Sequence, residues 1–538
     1  MRKVLKVLLL LFAALGILAG CLYLLYWNPK VDIAVTGGAQ VFPLTSEQKR
    51  EDFNYLYETL KNSFPYFEVK KRQFGTDWLS MRDEFEAQVL STANDLEYYR
   101  VLKEILCQVQ NGHTNLINPG AEYEEYAELY RNMGPWNQVF NNPGVKERYA
   151  YWKEIVTVSE EKYLPVLFRY IEGRYVVDGG YAGGEPEQIG LPKGTVLNSV
   201  DGVKIDEYVQ SLKSQRVLAI DRLRNKPMLK SLVIRSEKDV QLEVTLPDNT
   251  TTSLRVSPVT YRPLQENNEK PEHLFTAEVF PGNDVAYLKI PSFSSSYVKK
   301  DKEGILQFLQ QTAQCKALII DIRGNGGGST NYWQHNLVAP LTAEKLKSKG
   351  YLLFRNSDYL KPFMKNKMFF GIHTLKPLKE FPFSEKQPFY FENNDGIYTD
   401  LESSVSPAGT TGFSGKIYLL VDKYVFSSAE AFAVFAKSTG WATLVGTDTG
   451  GDGIGFDPAV AALPHSGLVV RFPCEMGVTP DGKPNEETAT APDIYVEQTY
   501  EDYLVRAEQM QNGEDVGKLE NRLLYDTILR TALERISR

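Results

Sequence analysis

Three regimes of apolar and polar patterning follow one another along the chain. From Thr45 onward apolar residues recur at helical spacing, with Phe53, Leu56, Tyr57 and Leu60 on one face. Thr45-Ser46-Glu47-Gln48 ahead of them reads as a capping box, in which a Thr hydroxyl and a Gln amide satisfy the first free N–H groups of a helix. Further helices are predicted over Trp78–Leu90 and Leu96–Val109, whereas the Tyr-rich stretch 120–160 follows no clear period. From Leu164 the pattern becomes strand-like. Arg174-Tyr175-Val176-Val177 is a strand, and Val196–Val200 followed by Asp201-Gly202 and Val203 predicts a tight hairpin. Beyond Asn283 strands and helices alternate. Val285–Ile290, Ala317–Asp321, Ile417–Val421 and Thr443–Gly446 are short apolar strands, separated by helices at Lys302–Thr312 and Ser428–Ser438, the last ended by Gly440. Such strands belong to a largely parallel sheet covered on both faces, so the fold class is α/β.

Composition narrows the function. The chain has 538 residues, room for roughly three to four domains. With 43% hydrophobic and 24% charged residues it is a folded protein. A net charge of −8, with no basic block, leaves no footprint for nucleic acid. Five His without H-E-x-x-H, and Cys21, Cys107, Cys315 and Cys474 without C-x-x-C, leave no metal-site spacing, and no metal or organic cofactor is expected. Cys315 and Cys474 lie beside apolar strands and read as buried free thiols.

The N-terminus points to a membrane. Arg2, Lys3 and Lys6 precede an uncharged run from Val7 to Trp27, long enough to span a bilayer with the bulk of the chain outside the cytoplasm. Leu18-Ala19-Gly20-Cys21 also resembles a lipobox with Cys21 as the lipidated residue. The apolar residues Leu22–Trp27 beyond it favour an uncleaved anchor.

Four local signals could carry chemistry. Asp321-Ile322-Arg323-Gly324-Asn325-Gly326-Gly327-Gly328 follows a buried strand; it is neither a dinucleotide fingerprint nor a P-loop, but its backbone N–H groups could stabilise an oxyanion. Val425-Phe426-Ser427-Ser428-Ala429-Glu430 joins a strand to a helix, where a Ser is usually an N-cap but also suits a nucleophile. Gln110-Asn111-Gly112-His113-Thr114 closes the helical region, and a lone His there is more often structural. Asp481-Gly482-Lys483-Pro484-Asn485-Glu486, with Ala491-Pro492-Asp493, is a turn-rich acidic loop.

In this order the four segments resemble the C-terminal processing (tail-specific) serine peptidases and their tricorn-like relatives. The Gly-rich loop matches the family's Asp-x-Arg-x-Asn-x-Gly-Gly, Ser-Ser-Ala-Glu its nucleophile box, Pro480–Asp493 its closing motif and Gly112-His113-Thr114 its upstream His motif. The resemblance implies a crotonase-like ββα peptidase core at 275–500. Around it the chain is expected to carry an N-terminal helical domain (31–135), a PDZ-like β-rich insert (165–262) and a C-terminal helical segment (501–538), after a signal anchor or lipoprotein signal at 1–30. It implies Ser427 as nucleophile with Ser428 as runner-up. The oxyanion donors are the N–H of Ser428 and that of Gly327, with Gly326 second. The tail-specific branch has a Lys general base where this chain has Asp452. Lys437 lies ten residues along a helix from Ser427, about 15 Å away, and cannot replace it. The His-containing branch fits instead, with His113 as base and Glu486 as its support. Gly112 departs from that branch's Ser; Thr114 is the nearest alternative hydroxyl.

The expected function is a membrane-tethered serine endopeptidase. It acts on a polypeptide substrate, presented by its C-terminus to the PDZ-like segment, through an acyl-enzyme. Two other readings compete: a non-catalytic binding protein whose pocket is lined by some of the 31 Tyr and 27 Phe, and a β-lactam-type acyl enzyme from Ser46-x-x-Lys49 or Ser159-x-x-Lys162.

Overall fold

A computed structural model describes residues 27–35, 42–157, 161–261, 271–280, 284–368, 374–391, 396–409 and 411–538, with positions 16, 20–22 and 25. The run from Val7 to Trp27 lies largely outside these residues, and among them no helix is long and apolar enough to cross a membrane.

The first region is helical. α1 (Ser46–Ser63) starts at the anticipated capping box: the Gln48 N–H donates to Thr45 Oγ and the Thr45 N–H to the Gln48 side chain. It is followed by α2 (Phe67–Phe74), α3 (Arg82–Leu90) and α4 (Asp95–Cys107). The helix expected over Trp78–Leu90 begins as a tighter turn at Trp78–Met81. The aperiodic stretch 120–160 contains further helices, including α5 (Pro143–Thr157), whose aromatic residues stack on one another, as Tyr123 does on Tyr149. These helices do not close a core by themselves. Phe53, Leu60 and Leu102 share one buried apolar cluster with Leu352, Val460, Val469 and Phe472 of the C-terminal half.

The second region is an antiparallel sheet in the order 251–256, 240–245, 196–200, 174–180, 166–171, 231–232. Val196–Val200 turns back into Val203–Lys204, pairing Val200 with Val203. Asp201 and Gly202 both have positive φ, +49° and +80°. That is the twist a two-residue hairpin needs, and the reason an Asp-Gly pair stands there.

The third region carries the mixed sheet. β1 (Thr276–Phe280) pairs antiparallel with β2 (Val285–Lys289). Then β3 (Ala317–Asp321), β4 (Lys416–Val421), β5 (Thr443–Gly446) and β6 (Ile494–Tyr495) follow in parallel. Leu288, Ile320, Leu419 and Leu444 lie in register across it and are fully buried. Helix α6 (Val298–Gln311) covers one face with Ile305 and Leu309, and α7 (Ser428–Thr439) packs Phe432 and Phe435 there. The C-terminal helices α8 (Tyr500–Gln511), α9 (Leu519–Tyr525) and α10 (Thr527–Ser537) follow. Ile528 and Leu529 of α10 cover the opposite face. Cys474 is buried, Cys315 half-buried, and both are free thiols.

Two secondary pairings bring distant loops to the carboxyl ends of this sheet. Asn115–Leu116, just past His113, pairs with Val470 and Arg471. The strand Met476–Val478 pairs with Leu346–Arg355 and leads into the turn before Glu486.

Candidate active site

Ser427 stands at the sharp turn between β4 and α7. Its backbone adopts φ +57° and ψ −126°, a conformation that costs a non-glycine residue of order 1–3 kcal/mol and persists only where neighbours enforce it. Here they do. The Phe426 N–H donates to Asn325 O (3.1 Å), the Ser427 N–H to Gly451 O (3.4 Å), and the Ala431 N–H to Ser427 O (2.8 Å). Gly327 backs onto this turn: a Cβ there would lie 2.8 Å from Ser427 Cβ and 2.9 Å from the Ser428 nitrogen. The site therefore requires glycine at 327 for close approach as well as for its φ of +105°.

The Ser427 hydroxyl lies 3.1 Å from His113 Nε2. On the other side of the ring, His113 Nδ1 lies 2.7 Å from Asp452 Oδ2. The partner of His113 is thus Asp452 and not Glu486, which corrects the expected support. Glu486 stands one step back: its Oε1 accepts from Asn111 Nδ2 (3.2 Å) and pairs with Lys70 Nζ. Asp452 reaches the imidazole because its loop bends sharply, with Gly451 at φ +87° and Asp452 itself at φ +55°. The Gly453 N–H, donating to Asn485 Oδ1 at 2.8 Å, holds the loop against the Glu486 segment.

The electrostatics separate the two carboxyls. Burial raises Asp452, but the charge and hydrogen bond of His113, with hydrogen bonds from Tyr66 and Asn111, outweigh it and hold the carboxyl below its ordinary value. Burial pushes Glu486 up to about 7 against Lys70, and the Asp452 charge adds to the rise. Two further buried carboxyls lie close by, Glu430 pushed up by burial to about 7 and Glu475 to about 8.

The neighbours of His113 also explain the other departures. Its ring packs on Phe426, with centroids 4.7 Å apart. A Cβ on residue 112 would come within 2.9 Å of that same Phe426 ring, so Gly112 leaves room for it where the related pattern has Ser. Thr114 does not substitute: its hydroxyl donates to Asn111 Oδ1 at 3.0 Å.

Among the oxyanion candidates, the Ser428 N–H at the start of α7 has no partner among the described residues, and neither does that of Gly326. The Gly327 N–H is engaged by Asn325 Oδ1 at 2.9 Å, so of the two expected loop glycines only Gly326 keeps its donor; Gly328, not anticipated, keeps one as well. The Ser428 hydroxyl is buried without a partner among the described residues, while that of Ser427 meets His113. Lys437 is held 3.1 Å from Asp493 and donates to Ala491 O at 2.7 Å. Lys49 of the first S-x-x-K donates to Thr92 Oγ at 3.1 Å, and Ser159 lies outside the described residues. Among the described residues no cluster of His, Cys, Asp and Glu could hold a metal.

A Ser, a His and a carboxylate in hydrogen-bonded series beside free backbone donors define the class of serine hydrolases. Comparison with known proteins gives the family. Residues 284–496 match peptidase family S41, and residues 45–107 match the tricorn protease C1 domain. No curated protein matches. Among solved structures, mature CPAF complexed with lactacystin is 16% identical with a TM-score of 0.55, covering 87% of this chain and 98% of that one. Mature CPAF alone is also 16% identical at 0.55, covering 90% and 99%. At this identity the likeness is one of fold. A photosystem II D1 C-terminal processing protease is 16% identical with a TM-score of 0.39, covering 84% and 94%. The chain is a serine peptidase, and its segment 284–496 is similar to peptidase family S41, the C-terminal processing and tricorn-like peptidases.

Proposed function

We propose that this peptidase is an endopeptidase acting on extended polypeptides through an acyl-enzyme on Ser427, with His113 as general base and Asp452 as its support. The observation that carries the reading is the placement of one imidazole between Ser427 Oγ at 3.1 Å and the Asp452 carboxylate at 2.7 Å. His113 takes the hydroxyl proton as Ser427 attacks the peptide carbonyl, then returns it to the leaving amine. Asp452 is ionised at neutral pH; it fixes the tautomer with the proton on Nδ1 and stabilises the imidazolium. The N–H of Ser428 and one from Gly326 or Gly328 receive the negative charge of the tetrahedral intermediate. Water then attacks the acyl-enzyme with His113 again as base. Each of these steps uses groups of the chain alone, so no cofactor is invoked.

The finer parts of this reading have their own supports. The β2–β6 sheet with its helices stands as a crotonase-like core. The antiparallel sheet at 165–262, with open edges at 251–256 and 231–232, stands as a PDZ-like insert that takes the substrate's C-terminal end by strand addition. The uncharged run Val7–Trp27 behind Arg2, Lys3 and Lys6 holds the enzyme at the cell membrane, through a single anchor or a lipid on Cys21. The bulk of the chain is then extracytoplasmic.

The test is cleavage of an unfolded polypeptide by the full chain in detergent, read by mass spectrometry. Ser427→Ala and His113→Ala are expected to abolish cleavage. Asp452→Asn should lower kcat by on the order of 10⁴, the loss that follows when a triad carboxylate is neutralised. Glu486→Gln should retain most activity. If Glu486→Gln is inactive and Asp452→Asn is not, the carboxylate roles are reversed. Membrane fractionation, with and without residues 1–30, tests the tether.

A further inference from the structure

Resting on the catalytic reading above, we infer that Asn111 is the positioning residue that sets His113 and Asp452 in register. Its side chain is fully buried and all four of its hydrogen-bonding positions are engaged. Oδ1 accepts from the His113 N–H and from the Thr114 hydroxyl, each at 3.0 Å. Nδ2 donates to Asp452 Oδ2 at 3.1 Å and to Glu486 Oε1 at 3.2 Å. One amide therefore grips the backbone of the base and the carboxylate that supports it.

The amide has one orientation. Turned over, its oxygen would face two carboxyls and its NH₂ the His113 N–H, and only the Thr114 hydroxyl, which can accept as well as donate, would keep its contact. Asp452 Oδ2, the oxygen that Asn111 holds, is also the one at His113 Nδ1. Tyr66 donates to the second oxygen, Oδ1, at 2.9 Å. The carboxylate is thereby pinned at both ends, with its remaining freedom set by Asn111. The same amide keeps Glu486 from closing on Asp452, and Lys70 holds Glu486 from behind. His113, Tyr66, Lys70, Glu475 and Arg222 are the charged and titratable groups that face this pair of carboxyls from the surrounding elements. Asn111 is the neutral group placed between them.

Asn111 touches no reacting atom in this arrangement. Its removal acts through the angle between His113 and Asp452, and misplacement of a catalytic group by about 1 Å costs on the order of 10²-fold in rate. The experiment uses the full chain in detergent and two readouts. One is kcat and KM on a peptide. The other is the rate at which a small fluorophosphonate labels the serine, across pH and per unit of folded protein by circular dichroism.

Asn111→Ala should lower kcat and the labelling rate together by on the order of 10²-fold, with KM within about twofold. Asn111→Asp adds a negative charge beside His113 and Asp452 and should move the acid limb of the labelling profile upward by about one pH unit. Asn111→Ser, which restores one donor, should recover part of the loss. If Asn111→Ala and Asn111→Ser label at the parental rate per folded protein with an unmoved acid limb, Asn111 is merely structural and the inference falls. Should Asn111→Asp not fold, the other two variants decide. Ser427→Ala separates the two levels: if it still labels at the parental rate the catalytic reading itself fails, and if it does not, a null result at Asn111 counts against the inference alone.

Discussion

Two buried charge clusters flank Ser427 and are built on opposite plans. Behind the Gly-rich loop, Arg323 donates to both oxygens of Asp321 (2.9 and 2.6 Å) and to both of Asp526 (2.7 Å each). Tyr287 completes Asp321 at 2.7 Å, and the Leu529 N–H completes Asp526 at 3.0 Å. Burial pushes both carboxyls up, but Arg323 outweighs it and holds both below their ordinary value. On the His113 side, among the described residues Lys70 pairs with Glu486, while Arg222 acts on Glu430 and Lys367 on Glu475 only through their charge. One oxygen of each Glu has no hydrogen-bond partner among the described residues. The first cluster is a closed knot that ties the C-terminal helices to the strand before the Gly-rich loop. The second leaves protons and hydrogen bonds unspent, as expected where a carboxylate must sit beside a base that charges and discharges.

Exchanging a single group in each cluster breaks this comparison in different currencies. The largest effect is on rate: Asp452→Asn loses on the order of 10⁴ in kcat while the protein remains folded, shown by an unchanged circular dichroism spectrum beside the kinetics. Next comes stability. Arg323→Ala leaves Asp321 and Asp526 buried with only Arg522, 3.5 Å from each, and is expected to cost about 3 kcal/mol in urea unfolding, because a broken buried pair strands its charges. An equal loss of stability in Asp452→Asn and in Arg323→Ala would erase the distinction.

Gly112→Ser is smaller. Its Cβ meets the Phe426 ring, and the ring shift is expected to cost about 1–3 kcal/mol, as overpacking does, with a loss of kcat because the same ring packs on His113. The most gradual effect, small per pH unit, is in the pH dependence. Glu475 ionises near 4.5 in the unfolded chain but keeps its proton to about 8 when folded. The unfolded state therefore binds fewer protons across that window, and stability falls as pH rises through it, by at most about 1.4 kcal/mol per pH unit. Glu475→Gln should flatten that decline in a series of urea melts. Asp321 and Asp526 act in the opposite sense: their contribution is present above 3.8 and is lost as pH falls through their lower folded values.

Much of this was legible in the residues. The capping box at Thr45, the Asp201-Gly202 hairpin, the four buried strands and Ser427 at the start of a helix each depend on a few adjacent side chains, so local pattern suffices. The aperiodic stretch 120–160 was not legible as helix. Its Tyr and Phe rings stack on one another and on the C-terminal half, and such packing overrides period.

The site divides along the same line. His113 and Ser427 were recognisable from their own motifs, and Asp452 was noticed as an acidic residue where a Lys base belongs in one branch. The signal that could have promoted Asp452 was there, since a carboxylate in place of a Lys beside a serine is what a His base would use. Nothing near Asp452 or Glu486 in sequence says which of them faces an imidazole more than 300 residues away, at a separation of 339 for Asp452. Chain order determined the α/β fold class and marked out Ser427 and His113. The tertiary structure alone decided which carboxylate meets His113, through the positive φ of Gly451 and Asp452 and the amide of Asn111. It also decided which loop glycine keeps a free N–H, because Asn325 takes that of Gly327. Local propensity selects elements, but the angle at which two distant loops meet is set by the packing beneath them.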